Sequence, residues 1–191
     1  MSSYIIGLIA EDDTDCDTIR KIVHRLLGKN TKTKKWASNG CSHLLRKLPA
    51  QLKSLSQKGC DRFIIIHDLD RNPKNDSLNN EVQLRNTLKQ KSDSISNSNK
   101  HICIPIEELE AWFWSDPNVI DFVGKGKGKA HPNPHSIKKP KEKLIGLSVG
   151  KNRKPRYSTN MNVELADMLD LDICSDRCPS FRNLRDFLLS L

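Results

Sequence analysis

The sequence has little of several features that define whole classes of proteins. Residues 1–10 lack a basic start, and the acidic run Glu11-Asp12-Asp13 follows at once, so we expect no secretory signal peptide. No apolar run approaches the ~20 residues that a transmembrane helix needs. Aromatic residues make up only 5 % of the 191 residues, and Tyr4 and Tyr157 are the two tyrosines. These absences predict a soluble, cytoplasmic protein without a membrane partner, and they leave few candidates for a tyrosine nucleophile.

Common catalytic and metal-binding signatures are also absent or weak. The Gly-Lys repeat at 124–129 lacks the G-x4-G-K-[ST] spacing of a P-loop, and no Ser-His-Asp or Cys-His arrangement stands out. The six cysteines are scattered, and we interpret them as reduced thiols. His131 and His135 with Cys174 and Cys178 are an alternative tetrahedral zinc site. Their spacings are looser than usual and the histidines lie among prolines, which favours a surface loop.

Strand-like and helix-like segments alternate along the first two thirds of the chain. Short apolar runs predict strands at 4–10, 34–37, 62–67 and 101–106. Helical periodicity or composition predicts helices at 15–27, 42–57 (interrupted or kinked at Pro49), 78–91, 107–114, 162–169 and 180–191. Four alternations indicate an α/β protein with a parallel sheet of about four strands and right-handed crossovers. We expect Trp112 and Trp114 to pack in the core rather than stack on bases.

Positive charge is concentrated in one segment of the chain. The net charge is +9, and residues 124–156 hold eleven Lys or Arg against one acid, so the remainder is slightly acidic. We divide the chain into a catalytic core (1–120), a basic Gly/Pro/Lys-rich insertion or lid (121–156) and a C-terminal helical segment that packs on the core (157–191). The basic residues expected to bind nucleic acid are Lys125, Lys127, Lys129, Lys138, Lys139, Arg153, Lys154 and Arg156. A solvated loop that binds nothing is the alternative.

Acidic residues follow three of the four predicted strands. Glu11, Asp68, Asp70 and Glu107 all lie at carboxyl ends, where parallel sheets bind their ligands. Carboxylates crowded at one edge repel each other unless a cation offsets the repulsion, and Mg²⁺ prefers such oxygen ligands. Taken singly, Asp70 fits an acidic turn and Glu11 a helix-capping acid. As a set, they predict a metal site.

Four segments carry a resemblance to a known family. They are Ile-Ala-Glu-Asp-Asp-Thr-Asp (9–15), Ile-Ile-His-Asp-Leu-Asp (65–70), Ile-Glu-Glu-Leu-Glu-Ala-Trp-Phe-Trp-Ser-Asp (106–116) and the closing run 178–188. The first two are similar to the Toprim domain of topoisomerases, primases and OLD-type nucleases. Together the four more closely resemble the small stand-alone Toprim-like proteins of domain-of-unknown-function family 4276. The resemblance implies a Toprim/Rossmann-like sheet.

The resemblance also implies roles for the acidic residues. Glu11 would be the general acid/base or a metal ligand, and Asp68 and Asp70 would hold Mg²⁺, with Mn²⁺ as a substitute. Glu107, Glu108 and Glu110 are candidates for a second metal position, and we place Glu107 and Glu110 on one helix face. The family's usual Glu-Gly is here Glu11-Asp12. Asp12 therefore either adds a metal ligand or keeps the backbone from coming as close to a phosphate as Gly would allow.

The function implied is Mg²⁺-dependent phosphodiester hydrolysis of DNA or RNA, beside a partner ATPase in phage defence. A second interpretation is a non-catalytic nucleic-acid-binding or regulatory subunit of an ATPase-containing complex. A third is a phospho-receiver domain, because Glu11, Asp12, Asp13 and Asp68 imitate its acidic pocket. The sequence leaves the substrate, the cleavage pattern and the oligomeric state open.

Overall fold

Four strands form one parallel sheet in the computed structural model, which describes residues 4–151 and 153–191. They are β1 (Ile5–Ala10), β2 (Lys32–Ala37), β3 (Arg62–Ile66) and β4 (Lys100–Cys103). Their spatial order is β2-β1-β3-β4, and each neighbouring pair is parallel. The expected parallel α/β sheet of four strands is therefore confirmed. The chain leaves the two central strands, β1 and β3, at neighbouring points of the same edge, where such sheets bind ligands.

Both faces of the sheet are covered, which explains the apolar composition of β1 and β3. The helices that follow the first three strands are α1 (Asp13–Leu27), α2 (Cys41–Gln57) and α3 (Glu81–Lys91). Ile6 and Leu8 point towards a core that includes the buried face of α1, whereas Ile9 and Ile65 join a second core built with α2 and α3. The twofold alternation of side chains along a strand separates these two cores.

Side-chain caps set where α1 and α3 begin. The Asp12 carboxylate accepts a hydrogen bond from the Asp15 backbone N–H (2.9 Å), so α1 starts before the predicted residue 15. Asn80 accepts from the backbone N–H of Gln83 (3.0 Å), and α3 starts after the predicted residue 78. α2 runs through Pro49 without a break, so the predicted interruption is wrong. Leu residues of α2 on both sides of Pro49 are fully buried and hold the helix on the sheet.

The segment after β4 differs most from its predicted helix at 107–114. A 3₁₀ helix, Leu109–Ser115, replaces it, and Glu107 has a left-handed backbone conformation with φ of 67°. A residue in this conformation cannot continue a right-handed helix. Glu107 and Glu110 therefore do not share a helix face. Trp112 is buried as expected, packing edge to face on Phe181.

The basic insertion contains regular structure that the sequence did not predict. The helices here are α4 (Pro117–Gly124) and α5 (Pro140–Leu147). Leu144 of α5 is fully buried, so this part of the insertion is a packed helix. Short 3₁₀ helices lie at Asn97–Asn99, Pro134–Ser136 and Thr159–Met161.

Three helices close the chain: α6 (Asn162–Met168), α7 (Leu171–Arg177) and α8 (Pro179–Leu189). α7 was not predicted. Arg25 of α1 donates to the backbone carbonyls of Ala166 (2.8 Å) and Leu169 (2.6 Å), which ties the C-terminal helices to the sheet layer. The division into segments 1–120, 121–156 and 157–191 stays a prediction. Across residues 4–151 and 153–191, no helix has both the length and the apolar composition needed to cross a bilayer.

Candidate metal centre

Glu11 and Asp68 meet where the two central strands end. β1 and β3 are paired up to Ile9 and Ile65, so the residues that follow leave the sheet side by side. The Asp68 backbone N–H donates to Glu11 Oε1 (3.2 Å). His67 Nδ1 lies 2.8 Å from the Asp68 carbonyl oxygen and 3.3 Å from Glu11 Oε1. The structure therefore brings two of the predicted site residues into direct contact.

Two further carboxylates act on Asp68 from other elements. After burial, the charge of Asp15, in the first turn of α1, raises the pKa of Asp68 most, followed by the charges of Glu110 of the 3₁₀ helix, Glu11 and Asp70. Asp68 Oδ1 is enclosed and has no hydrogen-bond partner among the described residues. An enclosed carboxylate oxygen without a partner, surrounded by other acids, is an arrangement that a bound cation would stabilise.

Asn162 of α6 fixes the position of Glu110. Its side-chain Nδ2 donates to Glu110 Oε1 (3.1 Å), and its Oδ1 accepts from the Tyr157 hydroxyl (2.7 Å). All three residues are buried. A buried hydrogen-bond chain thus runs from the C-terminal segment to the acidic cluster and restricts the Glu110 carboxylate to one orientation.

Burial and mutual repulsion raise the pKa values of these acids. Burial, with a contribution from Asp70, raises the pKa of Glu11 from 4.5 to about 7. Burial and the charge of Asp12 raise the pKa of Asp15 to about 8. Burial is also the main reason why the pKa values of Asp68, Asp70 and Glu110 are raised. At neutral pH the metal-free centre therefore holds protons that ordinary carboxyl groups would have lost.

Lys141, in the first turn of α5, supplies positive charge to the centre. Its ammonium group forms a 2.9 Å ion pair with Glu108, and its backbone N–H donates to the same carboxylate (3.0 Å). Its charge opposes the upward shift of the pKa values of Glu11, Asp15, Asp70 and Glu110. The pKa of Lys141 is itself raised, chiefly by Glu108, despite partial burial. Lys141 is thus a counter-ion to the whole cluster.

Asp70 lies near Glu11 and Cys41, the first residue of α2. One ligand atom from each of Glu11, Cys41 and Asp70 lies within 4.8 Å of the other two. Among the described residues, no other group of three or more His, Cys, Asp or Glu is as close, so the alternative zinc set at 131, 135, 174 and 178 does not assemble. Cys174 and Cys178 are instead buried in the core.

Glu107 has partners outside the cluster. Its carboxylate forms an ion pair with Arg71 and accepts from the Lys139 backbone N–H (3.4 Å). These contacts hold the carboxylate of a residue whose left-handed backbone conformation costs ~1–3 kcal/mol. Of the three candidates for a second metal position, Glu110 lies in the buried cluster, while Glu107 and Glu108 are paired with cations.

The predicted nucleic-acid-binding residues lie in different parts of the insertion. Lys138 forms a 2.9 Å ion pair with Asp76, and it lies with Lys139 just before Lys141 in the sequence. Lys125, Lys127 and Arg156, from the two ends of the insertion, line a separate hollow together with Lys151, which was not predicted. Arg156 is partly engaged, because its guanidinium donates to the carbonyls of Val123 (2.9 Å) and Ser148 (3.3 Å). Lys129, Arg153 and Lys154 are exposed.

Sequence reasoning missed Asp15, Cys41 and Lys141 as site residues. Asp15 is one turn of helix after Glu11, a spacing that could have suggested it. Cys41 follows the end of β2 by four residues, so the carboxyl-end argument applied to the other strands could have suggested it. Lys141 carries no comparable signal, since it comes to the site through the start of α5, far from any strand end in sequence.

The chain is therefore an α/β protein with a parallel four-stranded sheet and a cluster of carboxyl groups beyond its two central strands. Comparison with protein families agrees with the resemblance of its motifs to domain-of-unknown-function family 4276. The chain belongs to the family described as Domain of unknown function (DUF4276), whose model matches residues 10–189. No curated protein and no solved structure matches the chain.

Proposed function

We propose that the protein is a Mg²⁺-dependent phosphodiester hydrolase of the Toprim type that acts on DNA or RNA. The observation that carries this proposal is the enclosed Asp68 carboxylate, which has an oxygen without a partner and acids as its main charged neighbours. Structural acids are normally paired with a cation or a hydrogen-bond donor. A site that crowds carboxyl groups at the ligand-binding edge of a sheet is suited to bind a positive ion.

The donor types suit Mg²⁺. Asp15, Asp68 and Glu110 offer carboxylate oxygens only, and because the three do not all lie within 4.8 Å of one another, water would complete the contacts of a hard cation that keeps several waters. Glu11 adds a further carboxylate, fixed on one side by the Asp68 backbone N–H. When bound, Mg²⁺ would orient an attacking water and offset charge on the phosphate. We assign to Asp15, Asp68 and Glu110 the role of holding the ion, and to Asn162 the role of positioning Glu110.

Residues 138–141 suit the binding of the substrate backbone. Lys138, Lys139 and Lys141 lie within four residues and pass the acidic centre, with Lys141 in contact with it. Lysine is a common phosphate-binding residue in proteins. A nucleic acid that contacts these residues would place a phosphate next to the carboxylates. The hollow lined by Lys125 and Lys127 would contact further phosphates of the same nucleic-acid strand.

We also propose that an ATPase acts beside the hydrolase in phage defence. Only the resemblance to OLD-type nucleases supports this partner.

The test is cleavage by the pure protein. Labelled single-stranded and double-stranded DNA and RNA are incubated with the chain in Mg²⁺, in Mn²⁺ and in EDTA. We expect cleavage that needs the metal, is lost in Asp68→Asn and is retained in Asp186→Asn, a matched change at an exposed site of α8. Binding without cleavage in every metal would instead support the non-catalytic subunit. Equal cleavage by Asp68→Asn would exclude a role for Asp68 in the reaction.

A further inference from the structure

Two hollows adjoin on the basic insertion, and Lys125 and Arg156 belong to the walls of both. Their volumes are about 480 Å³ and about 500 Å³, which are in the usual range of small-ligand sites. The first, the apolar hollow, is further lined by Asp121, Phe122, Val123, Tyr157 and Met161. The second, the basic hollow, is further lined by Gly124, Lys127, Val149, Gly150 and Lys151. Together they join an apolar surface to a cationic one.

Phe122 is the aromatic side chain of the apolar hollow that solvent reaches. Its exposed fraction is 40 %, whereas that of Tyr157 is 2 %. The other large apolar residues of α4 are buried in the core, so Phe122 is the one that α4 leaves open to a ligand. An open aromatic ring beside cations is the arrangement on which proteins stack unpaired nucleic-acid bases.

The charge of the two hollows suits a phosphate ligand. Their walls contain four cations against one acid, Asp121. The cations are Lys125, Lys127, Lys151 and Arg156. This excess of positive charge lies directly beside the apolar hollow, since Lys125 and Arg156 belong to both walls. A ligand with one apolar ring and a neighbouring phosphate would complement both hollows at once.

Packing fixes the positions from which these cations extend. A Cβ atom added at Gly124 would lie 3.2 Å from the Leu147 side chain, and one added at Gly128 would lie 2.7 Å from it. Because both glycines approach Leu147 so closely, the Gly-Lys run 124–129 lies against α5. Arg156 is fixed as well, since its guanidinium donates to two backbone carbonyls. The cations are therefore held in place rather than spread along a free loop.

Tyr157 links the apolar hollow to the acidic centre. Its side chain lines the hollow, and its hydroxyl donates to Asn162, which in turn donates to Glu110. Two side chains, those of Tyr157 and Asn162, thus connect the hollow to the carboxylates. A strand held in the hollows would therefore lie near the proposed metal position.

We propose that the two hollows bind one nucleotide of a single-stranded nucleic acid. Its base stacks on Phe122 in the apolar hollow, and its phosphate lies in the basic hollow among the cations. A base can enter a hollow only when it is unpaired, so this site selects single strands over duplexes. The inference rests on the proposed function for the class of substrate and adds the form of the strand. Binding at the hollows itself needs no hydrolysis.

Fluorescence anisotropy in EDTA measures binding without cleavage. The probes are a labelled single-stranded DNA, its duplex, and an abasic strand of the same length whose sugars carry no bases. We expect wild type to bind the base-bearing strand about tenfold more tightly than either other probe. Phe122→Ala should weaken binding of the base-bearing strand about tenfold and leave binding of the abasic strand unchanged. Phe122→Trp keeps an aromatic ring and should bind like wild type.

Lys151→Gln tests the basic hollow separately. It should weaken binding of the base-bearing and abasic strands by the same factor and reduce the salt slope by about 0.7, because one phosphate contact is lost. Leu189→Ala is the control, since Leu189 is an apolar residue of α8 that is 58 % exposed and lies outside both hollows. It should leave every affinity unchanged.

Equal affinity of wild type for the base-bearing and abasic strands would overturn the inference, and this comparison needs no substituted protein. A nucleoside monophosphate whose binding depends on Phe122, when strand binding does not, would also overturn it in favour of a free nucleotide. Cleavage by a protein that binds both strands equally would keep the proposed function and remove the base site. Base-dependent binding by a protein that cleaves nothing would do the reverse.

Discussion

Replacing Asp68 by Asn should stabilise the metal-free protein while abolishing cleavage. Asn has nearly the same shape as Asp but carries no charge, and its amide adds N–H donors to a site where acceptors predominate. The wild-type residue must either stay charged beside Asp15, Glu11 and Glu110 or hold a proton at a pH where it would lose it in the unfolded chain. Both states cost free energy that Asn does not incur.

The expected gain follows from the enclosed Oδ1 atom. A buried polar group without a partner costs ~1–3 kcal/mol, and the acidic neighbours add to this cost. For a chain of this size, 1 kcal/mol moves the melting temperature by ~2–4 °C. We therefore expect Asp68→Asn to melt roughly 2–12 °C above wild type in EDTA at pH 8. In Mg²⁺ the difference should shrink or reverse, because wild type gains stability from the bound ion.

Thermal melts of wild type, Asp68→Asn and Asp186→Asn in EDTA and in Mg²⁺ measure both effects beside the cleavage assay. Asp186→Asn should melt like wild type in both buffers. If Asp68→Asn melts well below wild type in EDTA, the Asp68 carboxylate has a stabilising partner in the folded protein. The reasoning about unbalanced charge would then be wrong, and continued cleavage by that variant would make Asp68 a structural residue.

Three further predictions follow from the same centre and from the basic segment. Glu11 and Asp15 have pKa values raised to about 7 and about 8, so folding takes up protons and the unfolding free energy in EDTA should fall as pH rises from about 4 to 8. The raised pKa of Glu11 alone corresponds to a fall of about 3 kcal/mol in the unfolding free energy over this pH range. The unfolding free energy of Glu11→Gln should therefore depend less on pH than that of wild type. Asn162→Leu should cost about 1–3 kcal/mol in urea denaturation and weaken Mg²⁺ binding, whereas an unchanged stability would contradict the buried hydrogen-bond chain. If the insertion binds DNA phosphates, the logarithm of affinity should fall with the logarithm of salt concentration at ~0.9 per phosphate contact, and this slope should flatten on substitution by Gln of Lys125, Lys127 and Lys129. The control is the same substitution at three exposed lysines in other segments, Lys29, Lys47 and Lys53. If both triple variants keep the wild-type slope, residues 124–129 form a solvated loop that binds no phosphate.

The fold could be predicted because its signals are local. Runs such as Phe63 to Ile66 are apolar on both faces, which is a property of buried parallel strands, and the order of strands and helices restricts the topology. The carboxyl-end position of Glu11 and Asp68 follows from that topology. At these two residues the structure therefore agrees with the predicted position and adds the distances between their atoms.

The rest of the centre depends on tertiary contacts that have no local signal. Glu107 and Glu110 were equivalent in the sequence, and a single left-handed residue before the 3₁₀ helix separates their roles. Lys141 lies in the first turn of α5, and only packing places the start of that helix beside the acidic cluster. Helical composition and charge counts cannot predict contacts between residues that are distant in sequence, because both describe neighbours along the chain.

The acidic centre and the basic insertion form one electrostatic unit. Without a metal, the negative charge of the cluster is offset by protons on Glu11 and Asp15 and by the ammonium group of Lys141. If a cation binds as we propose, it would take over that role, and the carboxyl groups would release their protons. Lys141 belongs to the insertion and its partner Glu108 to the core, so this ion pair is the contact through which a bound cation would act on the segment proposed to contact the substrate.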